Sequence, residues 1–173
     1  MAHAKADFDD KRVAFQEWPA LKSSGVLPAG QIPVWVENDV YFNQSKAILR
    51  KLARKYGYEP ADPLVAWRVD SVIDEAPDHF EKFYGVISQK KFEDDSMLEK
   101  YLEVVKGLTT FVERVLTSNG RSYIASDKIT AADFAVAGVV FAYIFNEAFA
   151  GGEKWATAGQ ALVLASPRVS AWV

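Results

Sequence analysis

Gln44 and Ser45 pair an amide with a hydroxyl at the head of Ser45-Lys46-Ala47-Ile48-Leu49-Arg50-Lys51-Leu52-Ala53-Arg54, a run whose apolar positions fall on one helical face. A helix start offers free N–H groups and the positive end of a dipole, which together suit a carboxylate. Eleven residues earlier, Gly30-Gln31-Ile32-Pro33-Val34 reads as an extended edge marked by a proline, with backbone N–H and C=O groups to offer. Edge and helix start could grip a small peptide at two points. Upstream, Trp18 and Lys22 lie four apart on one helical face and supply an indole N–H and an ammonium. Downstream, Asp70, Asp74 and Asp78 recur every four residues. Each feature also has an ordinary reading: a helix cap, a strand-entry proline, a packing indole, a solvated charge, a solvated helix face. Their order and spacing together point to a site.

Composition narrows the chemistry. The chain has 173 residues, a net charge of −3 and no cysteine. That count removes disulfides, zinc-thiolate sites and a cysteine nucleophile. Two histidines far apart, His3 and His79, argue against a histidine metal site, and no metal is expected. No basic excess is present to recruit nucleic acid or an anionic membrane. The start Met1-Ala2-His3-Ala4-Lys5 leads into Asp7, Asp9 and Asp10 rather than an apolar stretch, and the apolar run Phe134 to Phe145 is too short to span a bilayer. A cytoplasmic protein is expected.

The elements that must position these residues read as follows. Phe8 to Phe15 is a strand, Glu17 to Ser23 a short helix, and Ser23 to Gly30 a loop. Val34–Val36 and Val40–Phe42 form a hairpin around Glu37-Asn38-Asp39, followed by a helix from Ser45 to about Tyr56. Pro60 and Pro63, in a stretch without helical period, mark a boundary between a domain over 1–58 and an all-helical domain over 62–173. There, Val65, Val69, Val72, Ile73 and Ala76 form one apolar face, and Pro77 predicts a kink. Leu98, Tyr101, Leu102, Val105, Leu108, Val112, Val115 and Leu116 mark a second long helix, stopped by Ser118-Asn119-Gly120. Thr130 and Asp133 read as an N-capping box on a helix apolar on nearly every side, the centre of a bundle.

Taken together, the Ile32-Pro33 edge, the Gln44-Ser45 helix start, Trp18 with Lys22, Asp78 and the Thr130–Asp133 box resemble the glutathione S-transferases, specifically the Tyr-type, sigma-like branch. The resemblance extends from about Asp7 to Val173. It implies an incomplete thioredoxin-like α/β domain followed by an all-helical domain. It implies a cis peptide bond at Pro33, with Gln31, Ile32 and Pro33 forming the edge that pairs with the cysteinyl unit of glutathione. Gln44 and Ser45 would bind the γ-glutamyl end, Trp18 and Lys22 the glycine carboxylate, and Asp78 the γ-glutamyl amine across a dimer interface. Glutathione is the implied co-substrate, a hydrophobic electrophile the second substrate, and a homodimer or larger assembly the expected state. His79, Tyr84, Ala135 and Val139 are candidate positions for the electrophile wall.

The Tyr-type enzymes favour the glutathione thiolate with a tyrosine near the end of their first strand. That strand and its helix precede the segment matching Phe8–Phe15, so the sequence is expected to be truncated at its start, and at its end too, where Ser166–Val173 opens only a short helix. None of Tyr41, Tyr56, Tyr58, Tyr84, Tyr101, Tyr123 and Tyr143 matches the catalytic motif, so no catalytic residue is assigned. Ala29, where many relatives carry an aromatic residue, also departs from the pattern. Two expectations follow: a transferase of doubtful activity in this form, or a non-catalytic structural or assembly subunit that reuses the fold.

Overall fold

The computed structural model describes residues 1–146, 148–149 and 151–173. They fall into two units, Met1–Tyr58 and Glu59–Val173.

In the first unit, Pro19 stands in the first turn of α1 (Trp18–Ser23), where its missing N–H would have had no helical acceptor. Ser23 Oγ closes that helix by donating to the Pro19 carbonyl at 3.0 Å. Strands β1 (Trp35–Glu37) and β2 (Val40–Phe42) pair antiparallel, Trp35 with Phe42, Val36 with Tyr41 and Glu37 with Val40. The turn between them holds Asn38 at φ 51° and Asp39 at φ 62°. Two consecutive positive φ values match the right-handed twist of a tight hairpin, and Asn and Asp tolerate them. Helix α2 (Ser45–Tyr56) stops at Gly57, whose φ of 77° is one a side chain would resist.

Lys51 and Lys55, one turn apart on α2, both reach Glu37 on β1. The Lys51 contact is 2.6 Å, and the same ammonium sits 4.5 Å from the Phe42 ring centroid. The hairpin is thereby tied to the helix by charge rather than by an apolar interior. Hydrogen bonds from Lys51 and then Lys55 hold the Glu37 carboxyl down at about 2.

The strand expected over Phe8 to Phe15 does not form. Residues 6–14 carry no strand pairing, and Phe15 is 87% exposed. A strand needs a neighbour for its N–H and C=O groups, and none of the described residues provides one. The local ion pair of Arg12 with Asp10, at 2.6 Å, suits a solvated segment.

The second unit is helical: α3 (Pro63–Ile87), α4 (Asp95–Asn119), α5 (Ala131–Tyr143), α6 (Gly152–Leu164) and α7 (Pro167–Trp172). Asp62 caps α3 by accepting from the N–H groups of Leu64 and Val65, each at 2.9 Å, and Asp94 caps α4 through Ser96 at 2.9 Å. Gly120, at φ 61°, ends α4 where the sequence places the stop. Helix α3 runs through Pro77 as one element.

The core is lined by Val69, Val72, Ile73, Ala76 and Phe83 of α3 and by Met97, Tyr101, Val105, Leu108, Phe111, Val112 and Leu116 of α4. On α4 the buried stripe therefore takes in Met97 and Phe111, while Leu98, Leu102 and Val115, expected inside, remain partly exposed. Phe83 stacks on Tyr143 at 4.9 Å, and Tyr101 packs against Trp155 at 5.2 Å. Burying rings of this size stabilises by about 1.5–3 kcal/mol each. No helix among the described residues is long and apolar enough to cross a membrane.

Candidate functional site

The hairpin register explains why Pro33 and Gln44 belong together. β1 and β2 pair Trp35 with Phe42. Beyond that pair both segments leave the ladder, one through Val34 and Pro33 and the other through Asn43 and Gln44. Here Ala29, Gln31, Ile32, Pro33, Asn43, Gln44 and Ser45 line a cleft of about 130 Å³. Gly30 enters it at φ 58°, its N–H bonded to the Leu27 carbonyl at 3.0 Å, and the Ile32–Pro33 peptide bond is cis.

Gln44 is the N-cap of α2, at φ 67° and ψ 106°, a backbone region that side chains other than glycine rarely adopt. Its side chain makes no capping hydrogen bond. The Gln44 amide and the Ser45 hydroxyl have no partner among the described residues, so both remain available to a ligand. Ile32 is 51% exposed on the opposite wall. A helix start with free donors beside the exposed backbone around Ile32 can hold a small anionic peptide by its carboxylate and its main chain.

Every residue lining the cleft is uncharged, and Ser45 carries the only hydroxyl. These side chains offer a ligand amide and hydroxyl groups for hydrogen bonding beside an apolar wall. Tyr101 is not a hidden source of phenolate: its hydroxyl donates to the Tyr143 carbonyl at 2.9 Å, and burial pushes its pKa well above the ordinary value. Among the described residues no group of three or more His, Asp or Glu side chains is placed to hold a metal ion.

Of the sequence-assigned residues, Gln31, Ile32, Pro33, Gln44 and Ser45 come together in this cleft. Trp18 and Lys22 come together on α1, with the ammonium 6.0 Å from the indole, but neither lines the cleft. Asp78 is exposed on α3, in the second unit. Of the suggested wall positions, Tyr84 is 62% exposed, but His79 and Val139 are only 6% and 5% exposed. Core packing claims those two: His79 lies 5.1 Å from the Phe111 ring. The sequence reading omitted Asn43 and treated Ala29 only as a departure. The place of Asn43 directly before the Gln44-Ser45 helix start was the signal for the first; the turn through Gly30 was the signal for the second.

This arrangement has relatives. The family model described as glutathione S-transferase, C-terminal domain, matches residues 77–173. Glutathione S-transferase 2 of Caenorhabditis elegans is 32% identical over 136 residues, covering 75% of this chain and 71% of its own. Probable glutathione S-transferase 7 of the same nematode is 33% identical over 142 residues, covering 79% and 68%. A solved C. elegans glutathione S-transferase superposes with a TM-score of 0.68 at 26% identity, over 99% of this chain and 85% of that one. With the family model matching more than half of the chain and relatives at this identity, the chain belongs to the glutathione S-transferase family.

Proposed function

We propose that this protein binds glutathione in the cleft between Ile32 and the start of α2, and that the residues present hold the peptide without activating its thiol. Gln44 and Ser45 would meet the γ-glutamyl carboxylate, the Ile32 backbone would pair with the cysteinyl unit, with Gln31 and Pro33 shaping that edge, and Trp18 with Lys22 would take the glycine carboxylate. Asp78 of a second copy would reach the γ-glutamyl amine in a homodimer. A hydrophobic electrophile is the co-substrate by family, and the cytoplasm is the compartment where glutathione is abundant.

One observation carries the reading: a positively polarised helix start with two uncommitted donors shares a cleft with the exposed Ile32 and the cis Pro33, and nothing lining that space can titrate near neutral pH. A thiol of ordinary pKa, about 8.5, is mostly protonated at pH 7. Conjugation should therefore run near the uncatalysed rate. Calorimetric titration with glutathione should show weak saturable binding, weakened by Gln44→Ala by about 1–2 kcal/mol, as for other hydrogen bonds to charged groups. Equal affinity in the two proteins removes Gln44 from the site. Turnover of a generic electrophile at rates ordinary for the family overturns the inactive reading.

The uncharged cleft also favours a second reading, a structural or assembly subunit. There, glutathione binding would be absent and a tight protein partner would be recovered in native pull-down.

A further inference from the structure

Gln31, Asn43 and Gln44 bring three primary amides to one cleft of about 130 Å³, with the Ser45 hydroxyl beside them. None of the four side chains is hydrogen-bonded to another described residue. A primary amide carries two N–H donors and one carbonyl acceptor. The donors suit the same anion as the start of α2; the amide oxygens are left over. Asn43 differs from the other two amides in its surroundings. It is half-buried where Gln31 and Gln44 are exposed, and it joins the end of β2 at Phe42 to the N-cap Gln44. A half-buried amide gives up part of its hydration and gains no internal bond in return, a cost that a ligand can offset.

The γ-glutamyl unit of glutathione carries its ammonium and its carboxylate on the same carbon. With the carboxylate at Gln44 and Ser45, the ammonium lies one carbon away, beside the same turn of chain. A charged donor that leaves water there needs an acceptor. No lining residue offers a carboxylate, so the side-chain acceptors within the cleft are neutral oxygens. Gln44 turns its N–H groups to the carboxylate. Gln31 precedes the cis Ile32–Pro33 bond, toward the cysteinyl unit. Asn43 stands one residue before the pair that holds the carboxylate. Nothing in the protein pins its amide, so its oxygen can turn to the ammonium.

We propose, on the reading of this cleft as a glutathione site, that Asn43 is a specificity residue: its side-chain carbonyl accepts a hydrogen bond from the γ-glutamyl ammonium and selects peptides with a free α-amino group at that end. An ammonium has three N–H groups, so Asp78 of a second copy can take another. The bond to Asn43 is made within one chain.

Calorimetric titration of the full chain compares glutathione with glutaryl-cysteinylglycine, the same peptide with hydrogen in place of the α-amino group. The unmodified protein should bind glutathione about tenfold more tightly, as expected of a hydrogen bond to a charged group. Asn43→Ala should abolish that preference by weakening glutathione while leaving glutaryl-cysteinylglycine unchanged. The unchanged affinity also shows an intact cleft, since the substitution breaks no side-chain hydrogen bond within the protein. Gln44→Ala should weaken both peptides alike, because both keep the carboxylate. An Asn43→Ala variant that still prefers glutathione, or that loses both peptides equally, overturns the proposal and leaves the glutathione site standing. So does a preference that disappears only with Asp78→Ala. Absence of saturable binding of either peptide to the unmodified protein overturns the glutathione reading and this role of Asn43 together.

Discussion

Between Met1 and Tyr58 a single residue, Ala53, is buried, whereas the second unit withdraws Phe83, Tyr101, Val105, Val112, Ile124 and Ile144 from solvent completely. The first unit relies instead on turns, caps and the Glu37 clasp, and leaves Ile32, Val36 and Val40 about half exposed. Even its Trp35 indole N–H is buried without an acceptor. The contrast extends to polar groups. Asp133 in the second unit uses both carboxylate oxygens internally, and Gln44 in the first uses neither end of its amide. Groups committed to the fold hold it together; groups left uncommitted are those a ligand can take. That is why the cleft lies in the less consolidated unit.

The sharpest way to break the contrast is to empty the polar hub of the second unit. Asp133 is 3% exposed and accepts from the Ile124 N–H at 2.9 Å, the Trp172 indole at 3.0 Å, and the N–H and hydroxyl of Thr130 at 2.8 and 3.0 Å. Asp133→Ala leaves several buried donors unpaired, so denaturation should report a loss of about 3 kcal/mol or more. Thr130→Ala removes one member of the capping box and should lose about 1 kcal/mol. Equal losses would show that the hub is no more than a helix cap.

Next in size is Gly159→Ala. A Cβ there would lie 2.5 Å from the Tyr101 hydroxyl oxygen and 3.1 Å from the ring. Tyr101 is pinned by its bond to the Tyr143 carbonyl and by Trp155, so it cannot retreat. Overpacking of this kind costs about 1–3 kcal/mol, and a thermal scan should show it. Wild-type stability would mean that this core has slack like the first unit.

Local signals in the chain were read well. The bounds of α2, the glycine stop after α4 and the Thr130–Asp133 box all depend on neighbours within a turn or two. Where the reading failed, the deciding partner was distant or wanting. Phe8 to Phe15 has strand-like residues but no described strand beside it. The α4 stripe was misread because the position of α6 decides whether Leu102 is covered. Trp172 reaches Asp133 across 39 positions, and Lys55 reaches Glu37 across 18, separations at which periodicity carries no information. In the cleft, Gln44 and Ser45 were legible as a helix start; the left-handed backbone of Gln44 was not.

Acid should distinguish the units more gently. His79 is buried against Phe111 with its Nδ1 unpartnered, and burial, then the Lys82 charge, holds its pKa below the ordinary 6.5. Glu75 and Asp78 on α3 oppose that shift without reversing it. On α4, Arg114 lies over the same Phe111 ring and pairs with Glu75 at 3.9 Å. A depressed histidine pKa means that the unfolded chain binds the proton first. Stability is full above 6.5 and falls as pH drops below it toward the folded value. His79→Leu should flatten the stability profile of the second unit just below pH 6.5; an unchanged slope would place the dependence elsewhere.

The smallest effect belongs to the first unit. Glu37 falls from an ordinary 4.5 to about 2 because Lys51 and Lys55 donate to it, and Lys55 is raised from 10.5 for the same reason. Both signs bound one window. The depressed carboxyl contributes stability above 4.5 that is lost as pH falls through about 2, and the raised ammonium contributes stability below 10.5 that is lost as pH rises through its folded value. These groups meet solvent, so screening keeps the contribution modest and sensitive to salt. Amide hydrogen exchange, corrected for intrinsic rates, should show protection in Trp35–Phe42 falling as pH drops from 4.5 to about 2 while Tyr101–Leu116 stays protected, because local opening and global unfolding are separate events. Glu37→Gln should reproduce the hairpin's loss at neutral pH. If the hairpin keeps its protection in both cases, backbone pairing rather than the clasp holds the edge that carries the cleft.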